Sequence, residues 1–233
     1  MSEFLLIHGS CHGAWCWTDL IPELRALGHG ARAIDLPSHG VDATPEVDVT
    51  LGRYADAILA AMDGPTIVVG HSMAGYPITA AAAKDARNIR ALVYLCAYVP
   101  RSGKSLADMR KMAPSQPLME AVRVADDRVT FTVDPAQCVD KFYHDVPPDR
   151  AAWAVANLCP QPILPQETIC PSAPTSIPRH YILCTKDRTI PPAFQRDMSV
   201  GCDSTRDMAT SHSPFLSAPV ALARHLHQIA LAK

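Results

Sequence analysis

The sequence predicts an α/β fold with a mostly parallel sheet of about six strands, helices on both faces and one insertion. Three observations carry this. Short apolar runs alternate with segments of helical spacing through the first hundred residues. The rhythm stops between Pro100 and Pro178, a stretch that holds 12 of the chain's 21 prolines. It resumes after residue 178. Strands joined by helical crossovers pair in parallel and bury both faces of the sheet.

The elements follow in order. Phe4-Leu5-Leu6-Ile7 is a short buried strand ending at His8-Gly9. Trp15 to Leu27 has helical spacing, with Leu20, Leu24 and Leu27 on one side, and stops at Gly28. Ala31 to Leu36 is the second strand, broken by Pro37. Thr50 is placed to cap a helix with Leu51, Tyr54, Ile58 and Met62 on one face. Thr66-Ile67-Val68-Val69 is the third strand and runs through Gly70-His71-Ser72 into an alanine-rich helix ending near Lys84. Ala91 to Leu95 is the fourth. After the insertion, His180 to Cys184 and Arg206 to Ala209 are the fifth and sixth, and Ser217-Ala218-Pro219 opens a final helix burying Leu222, Leu226 and Ile229.

The expected organisation is therefore a core of residues 1–99 and 179–233, with residues 100–178 as a compact, partly helical cap folded over the sheet. Its apolar bulk, including Met109, Phe131, Phe142, Trp153 and Leu158, is more than a disordered linker needs. A composition of 48% hydrophobic and 19% charged residues can fill such a core. The formal net charge of −2 gives no electrostatic footprint for nucleic acid or an anionic membrane. The longest apolar runs are too short to span a bilayer. No basic, apolar and small-residue segment of the export type precedes Phe4, and the eight cysteines form no C-x-x-C pair. A cytoplasmic chain with free thiols is the expectation.

The chemistry-bearing residues fall at strand ends. Gly70-His71-Ser72-Met73-Ala74-Gly75 lies where a buried strand turns directly into a helix, and a serine at such a corner is held on a strained turn above the sheet edge. The usual G-x-S-x-G pattern has Ala74 at its last position here. A serine hydroxyl needs a base, and the base needs an orienting carboxylate. Asp187 follows the fifth strand and His212 follows the sixth, giving the chain order serine, acid, histidine at one sheet edge. The loop His8 to Trp15 follows the first strand. Backbone N–H groups of Ser10 and Met73 are the expected oxyanion donors, with Gly9 leaving space. The expected substrate pocket comprises Gly9, Cys11, His12, Met73, Phe131, Trp153 and Leu158. No metal-ligand spacing stands out, and no cofactor is expected.

With these pieces in place, the chain resembles the α/β-hydrolases, and within them the plant methylesterase and hydroxynitrile lyase family with its bacterial relatives. Leu6 to Trp17, Gly70 to Gly75, Tyr181 to Asp187 with Ile190-Pro191, and Phe194-Gln195-Arg196 carry the likeness. Phe142-Tyr143 and Leu158 to Pro162 are similar to the family's cap. The resemblance implies Ser72 as nucleophile, His212 as base, Asp187 as its orienter, and oxyanion donors at Ser10 and Met73. The family's cyanohydrin-cleaving members have a threonine where this chain has Gly9, and a lysine directly after the catalytic histidine, where this chain has Ser213. The site is thus of the esterase type. The family commonly forms dimers, and a homodimer is expected.

The function expected from the sequence is a serine carboxylesterase cleaving small, largely apolar esters through an acyl-enzyme. Lactone or C–C hydrolysis and cofactor-free perhydrolysis would use the same triad. A small-molecule receptor on a hydrolase scaffold is the reading from a different class, and the intact set of Ser72, His212 and Asp187 argues against it.

Overall fold

The computed structural model describes residues 1–232. The chain opens with β1 (Glu3–Ile7), a 3-10 turn (Ala14–Trp17), α1 (Leu20–Ala26) and β2 (Gly30–Ile34). The helical spacing from Trp15 to Leu27 is therefore split in two. Pro22 has no N–H to offer the Thr18 carbonyl and its ring crowds that group, so a continuous helix cannot cross this point. Gly28, at φ +81°, ends α1. Next come α2 (Leu51–Ala60), β3 (Thr66–His71), α3 (Gly75–Lys84) and β4 (Ile89–Leu95). Thr50 caps α2, its side chain accepting from Arg53 N–H at 3.1 Å.

Between β4 and the next core strand lie α4 (Leu106–Met112), β5 (Val122–Val124), β6 (Thr130–Val133), α5 (Pro135–Phe142), α6 (Pro148–Ala156), β7 (Gln161–Pro162) and α7 (Leu164–Glu167). The strands β5, β6 and β7 make a small antiparallel sheet. Three strands of two to four residues are too short to show a period of two, so only the helical part of this segment is visible in the sequence. The chain then forms β8 (Arg179–Cys184), α8 (Pro192–Met198), β9 (Ser204–Met208), α9 (Pro214–Ser217) and α10 (Pro219–Leu231).

The main sheet has six strands in the order β2-β1-β3-β4-β8-β9. Every pairing is parallel. Alternate residues of each strand enter opposite cores. Phe4, Leu6, Val69, Val93 and Ile182 pack with α1 and α10 on one face. Leu5, Ile7, Val68, Leu92 and Leu183 pack with α2, α3 and α8 on the other. Because the sheet is parallel, the carboxyl ends of β1, β3, β8 and β9 share one edge. No helix among the described residues is long and apolar enough to cross a membrane. All eight cysteines are unpaired.

Candidate active site

Ser72 sits at the end of β3 with φ +56°, a left-handed conformation that costs a side-chain-bearing residue about 1–3 kcal/mol. Its neighbours are chosen by contact. A Cβ on Gly70 would lie 2.9 Å from the Ala74 carbonyl oxygen, and one on Gly75 would lie 2.0 Å from the Tyr98 carbonyl oxygen. The chain after β4 thus runs directly against the turn, and Tyr98 N–H donates to the Ser72 carbonyl at 3.0 Å. Ala74 is buried in the core, so its methyl group is accommodated there.

Asp187 and His212 come from the loops after β8 and β9. His212 Nδ1 is 2.7 Å from Asp187 Oδ2. The carboxylate accepts, so Nδ1 carries the hydrogen and the neutral ring presents a lone pair at Nε2. Three further donors hold the carboxylate. Thr189 N–H and Ile190 N–H reach Oδ1 at 2.6 and 3.0 Å, and Gln195 Nε2 reaches Oδ2 at 2.7 Å. Gln195 is fully buried, and its side chain also accepts from Cys184 N–H.

The backbone of His212 is held from beneath. His71 Nε2 donates to the His212 carbonyl at 2.9 Å, and the Cys96 thiol donates to the same oxygen at 3.4 Å. Burial pushes the Cys96 thiol well above its usual range, which keeps the proton on sulfur. Donor atoms of His71, Cys96 and His212 lie within 4.8 Å of one another, the grouping among the described residues with metal-ligand spacing. The His71 and Cys96 hydrogens are already committed to the His212 carbonyl, so the cluster is accounted for as support of the loop.

Ser72 and His212 line one cavity together with Ser10, His12, Met73 and Phe131. No Ser72 Oγ–His212 Nε2 hydrogen bond is formed in this conformation. Such contacts commonly tighten only when substrate is bound. Met73 lies in the first turn of a 3-10 helix (Ser72–Ala74), where N–H groups lack an intrahelical acceptor. Among the described residues, nothing accepts the Ser10 N–H. Ser10 and Met73 both border the cavity.

Three buried histidines surround this loop as neutral rings. His8 Nδ1–H donates to the Gly9 carbonyl, and its Nε2 accepts from Leu36 N–H. His12 Nδ1–H donates to the Ser10 carbonyl, and its Nε2 accepts from the Tyr143 hydroxyl. Burial lowers His12 to about 4 and holds His8 and His71 well below the ordinary histidine range.

Not every expected pocket residue faces the cavity. Trp153 packs edge-on against Trp15 at 5.1 Å, under the Arg150 guanidinium. Leu158 packs against the apolar core. The Cys11 side chain is buried away, while its backbone ties the loop after β1 to the inserted segment through Gln161 Oε1 and Cys159 N–H. Gly9 is present as space: a Cβ there would meet His71 Nδ1 at 2.7 Å and Ser72 Cβ at 2.9 Å. Arg110, Tyr98, Gln166 and Thr189, which no sequence pattern points to, also line the cavity. All but Thr189, which adjoins the Asp187 loop, precede or lie within the inserted segment, which no short-range pattern assigns to the site.

Residues 4–225 match the alpha/beta hydrolase family. The chain belongs to that family. The hydrolase is 29% identical over 255 residues to an esterase of Oryza sativa subsp. japonica, covering 98% of this chain and 95% of the relative. It is 26% identical to methyl jasmonate esterase 1 of Vitis vinifera, covering 97% of this chain and 96% of the relative. Among solved structures, a pyrethroid hydrolase from Sphingobium faniae JZ-2 superposes with a TM-score of 0.88 at 25% identity, covering 99% of this chain and 98% of that one. Polyneuridine aldehyde esterase shares the fold, with a TM-score of 0.87 at 22% identity over 99% of each chain.

Proposed function

We propose that this hydrolase is a serine carboxylesterase acting through an acyl-enzyme. One observation carries the reading: an Asp187-oriented His212 and a serine on a strained strand-to-helix turn open into the same cavity. Ser72 Oγ attacks the ester carbonyl while His212 Nε2 takes its proton. The carbonyl electrons move to oxygen, where the Ser10 and Met73 N–H groups hold the negative charge; one such donor is worth about 3 kcal/mol. The tetrahedral centre collapses, the C–O bond to the alcohol breaks, and His212 returns the proton to the leaving oxygen. Water repeats the sequence on the acyl-enzyme and releases the acid. Asp187 fixes the tautomer and stabilises the imidazolium.

Residues 100–178 act as the cap in this reading. The catalytic cavity has a free volume of about 20 Å³, close to that of one water, so the cap shifts to admit an ester. Ser213, in the place of the lyases' lysine, is fully buried and its hydroxyl has no partner. It offers no positive charge to a departing cyanide, which supports esterase chemistry. A cytoplasmic location is part of this reading and rests on the eight unpaired thiols. So is a homodimer, which light scattering after gel filtration tests.

A fluorophosphonate tests the mechanism. Intact mass should rise by one adduct, mapped to Ser72, and Ser72→Ala should not label. A folded wild-type sample that stays unlabelled overturns the reading. Turnover of p-nitrophenyl acetate separates the enzyme from a receptor, which would bind without product.

A further inference from the structure

We propose that Arg110 makes this an enzyme for esters that carry a second, free carboxylate, such as monoesters of short dicarboxylic acids. The substrate class rests on the esterase reading above; the anion subsite itself does not.

Among the described residues, Arg110, on α4, is the one side chain of permanent charge that lines the catalytic cavity. It is half-buried and forms no ion pair among the described residues. Its one hydrogen bond is long: Nη1 to Gln166 Oε1 at 3.5 Å. Gln166 is 2% exposed, and on its other side its Nε2 donates to Ser10 Oγ at 2.9 Å. A buried amide therefore connects the guanidinium to the loop that supplies the Ser10 N–H.

A second cavity, of about 160 Å³, adjoins the first and shares Arg110, Phe131 and Gln166 with it. Val122 and Ile163 give this chamber apolar walls, and Arg128 faces it as a second cation. Glu167 also borders it; Arg128 and Glu167 are both exposed, so Arg110 is the one half-buried charge among these three and the balance remains positive. A guanidinium partly withdrawn from water beside apolar walls gains from a partner of opposite charge, and its planar fork suits a carboxylate in two parallel hydrogen bonds. A wholly apolar ester would leave that fork empty. A diacid monoester fills both places, with the ester carbonyl at Ser72, the methylenes against Phe131 and the free carboxylate on Arg110.

The experiment compares monomethyl succinate, glutarate and adipate with their dimethyl esters. The wild-type enzyme should favour at least one monoester in kcat/KM. Arg110→Gln should lower the monoester-to-diester ratio at least tenfold, and Arg110→Lys should recover part of it. Glutarate should raise the melting temperature of wild type and not of Arg110→Gln. If Arg110→Gln does not fold, Arg128→Gln serves in its place, with a smaller fall expected. A wild-type preference for the dimethyl ester at every length, or a ratio unmoved in the variant, overturns the proposal. Failure of fluorophosphonate labelling is a separate result: it would remove the esterase reading, while glutarate stabilisation that depends on Arg110 would still establish the anion subsite.

Discussion

The Tyr143 hydroxyl donates to His12 Nε2 at 2.7 Å, joining the inserted segment to the loop after β1. On its other side the same ring donates to the Ser10 carbonyl at 2.7 Å. Tyr143 and His12 are both fully buried. The inserted segment is thus tied through His12 to Ser10, which lines the cavity and is the proposed oxyanion donor. In Tyr143→Phe the apolar ring stays and an imidazole lone pair is left buried without a donor. The expected cost is about 1–3 kcal/mol, read as a lower urea midpoint. kcat should fall as well, because the Ser10 loop loses its tether.

Buried neutral histidines should make this hydrolase sensitive to mild acid. In the folded chain His12 titrates at about 4, against an ordinary value of 6.5, and His8 and His71 also lie well below 6.5. Between those limits the unfolded chain binds protons that the folded chain refuses. Stability is therefore whole above about pH 6.5 and is lost as pH falls toward 4. The slope is about 1.4 kcal/mol per pH unit for each histidine refused its proton. Urea unfolding at pH 7, 6 and 5 should show this loss, and a flat profile over that range would contradict the neutral assignments.

Gly9→Ala tests the space beside the nucleophile. The new methyl would sit 2.7 Å from His71 Nδ1 and 2.9 Å from Ser72 Cβ. The His71 ring cannot simply withdraw, because its other nitrogen holds the His212 carbonyl. The expected loss of stability is about 1–3 kcal/mol. Fluorophosphonate labelling should slow in the fraction that remains folded. The threonine of the family's lyases would meet the same obstruction, so Gly9→Thr should not bring cyanohydrin cleavage.

Much of this architecture is legible in local patterns. Val68 and Val69, the small residues around Ser72 and the Thr50 cap each report a constraint set by immediate neighbours in the chain. Asp187 and His212 could be placed because each follows a strand, and parallel strands bring such loops to one edge. Arg110 and Gln166 could not be placed this way. They reach the cavity through a segment whose strands are two to four residues long and whose contacts are long-range. Trp153 shows the converse: aromatic bulk in that segment suggested a pocket wall, but tertiary packing gave the ring to Trp15 and Arg150.

Gln195 should prove to be a positioning residue acting through Asp187. Its amide donates to Asp187 Oδ2, the same oxygen that accepts from His212. In Gln195→Glu that donor becomes a second carboxylate beside the first. Two close carboxylates resist joint ionisation, and the added negative charge strengthens the imidazolium of His212. The acid limb of the kcat profile should move, with kcat lower at neutral pH and KM changed little. Gln195→Met removes the donor without adding charge, and leaves Cys184 N–H without its acceptor. It should cost about 1–3 kcal/mol of stability. A purely structural role would lower the melting temperature of both variants and leave the pH limb of the folded enzyme where it is in wild type. Movement of the limb in Gln195→Glu beyond that of Gln195→Met is the signature of action through the carboxylate.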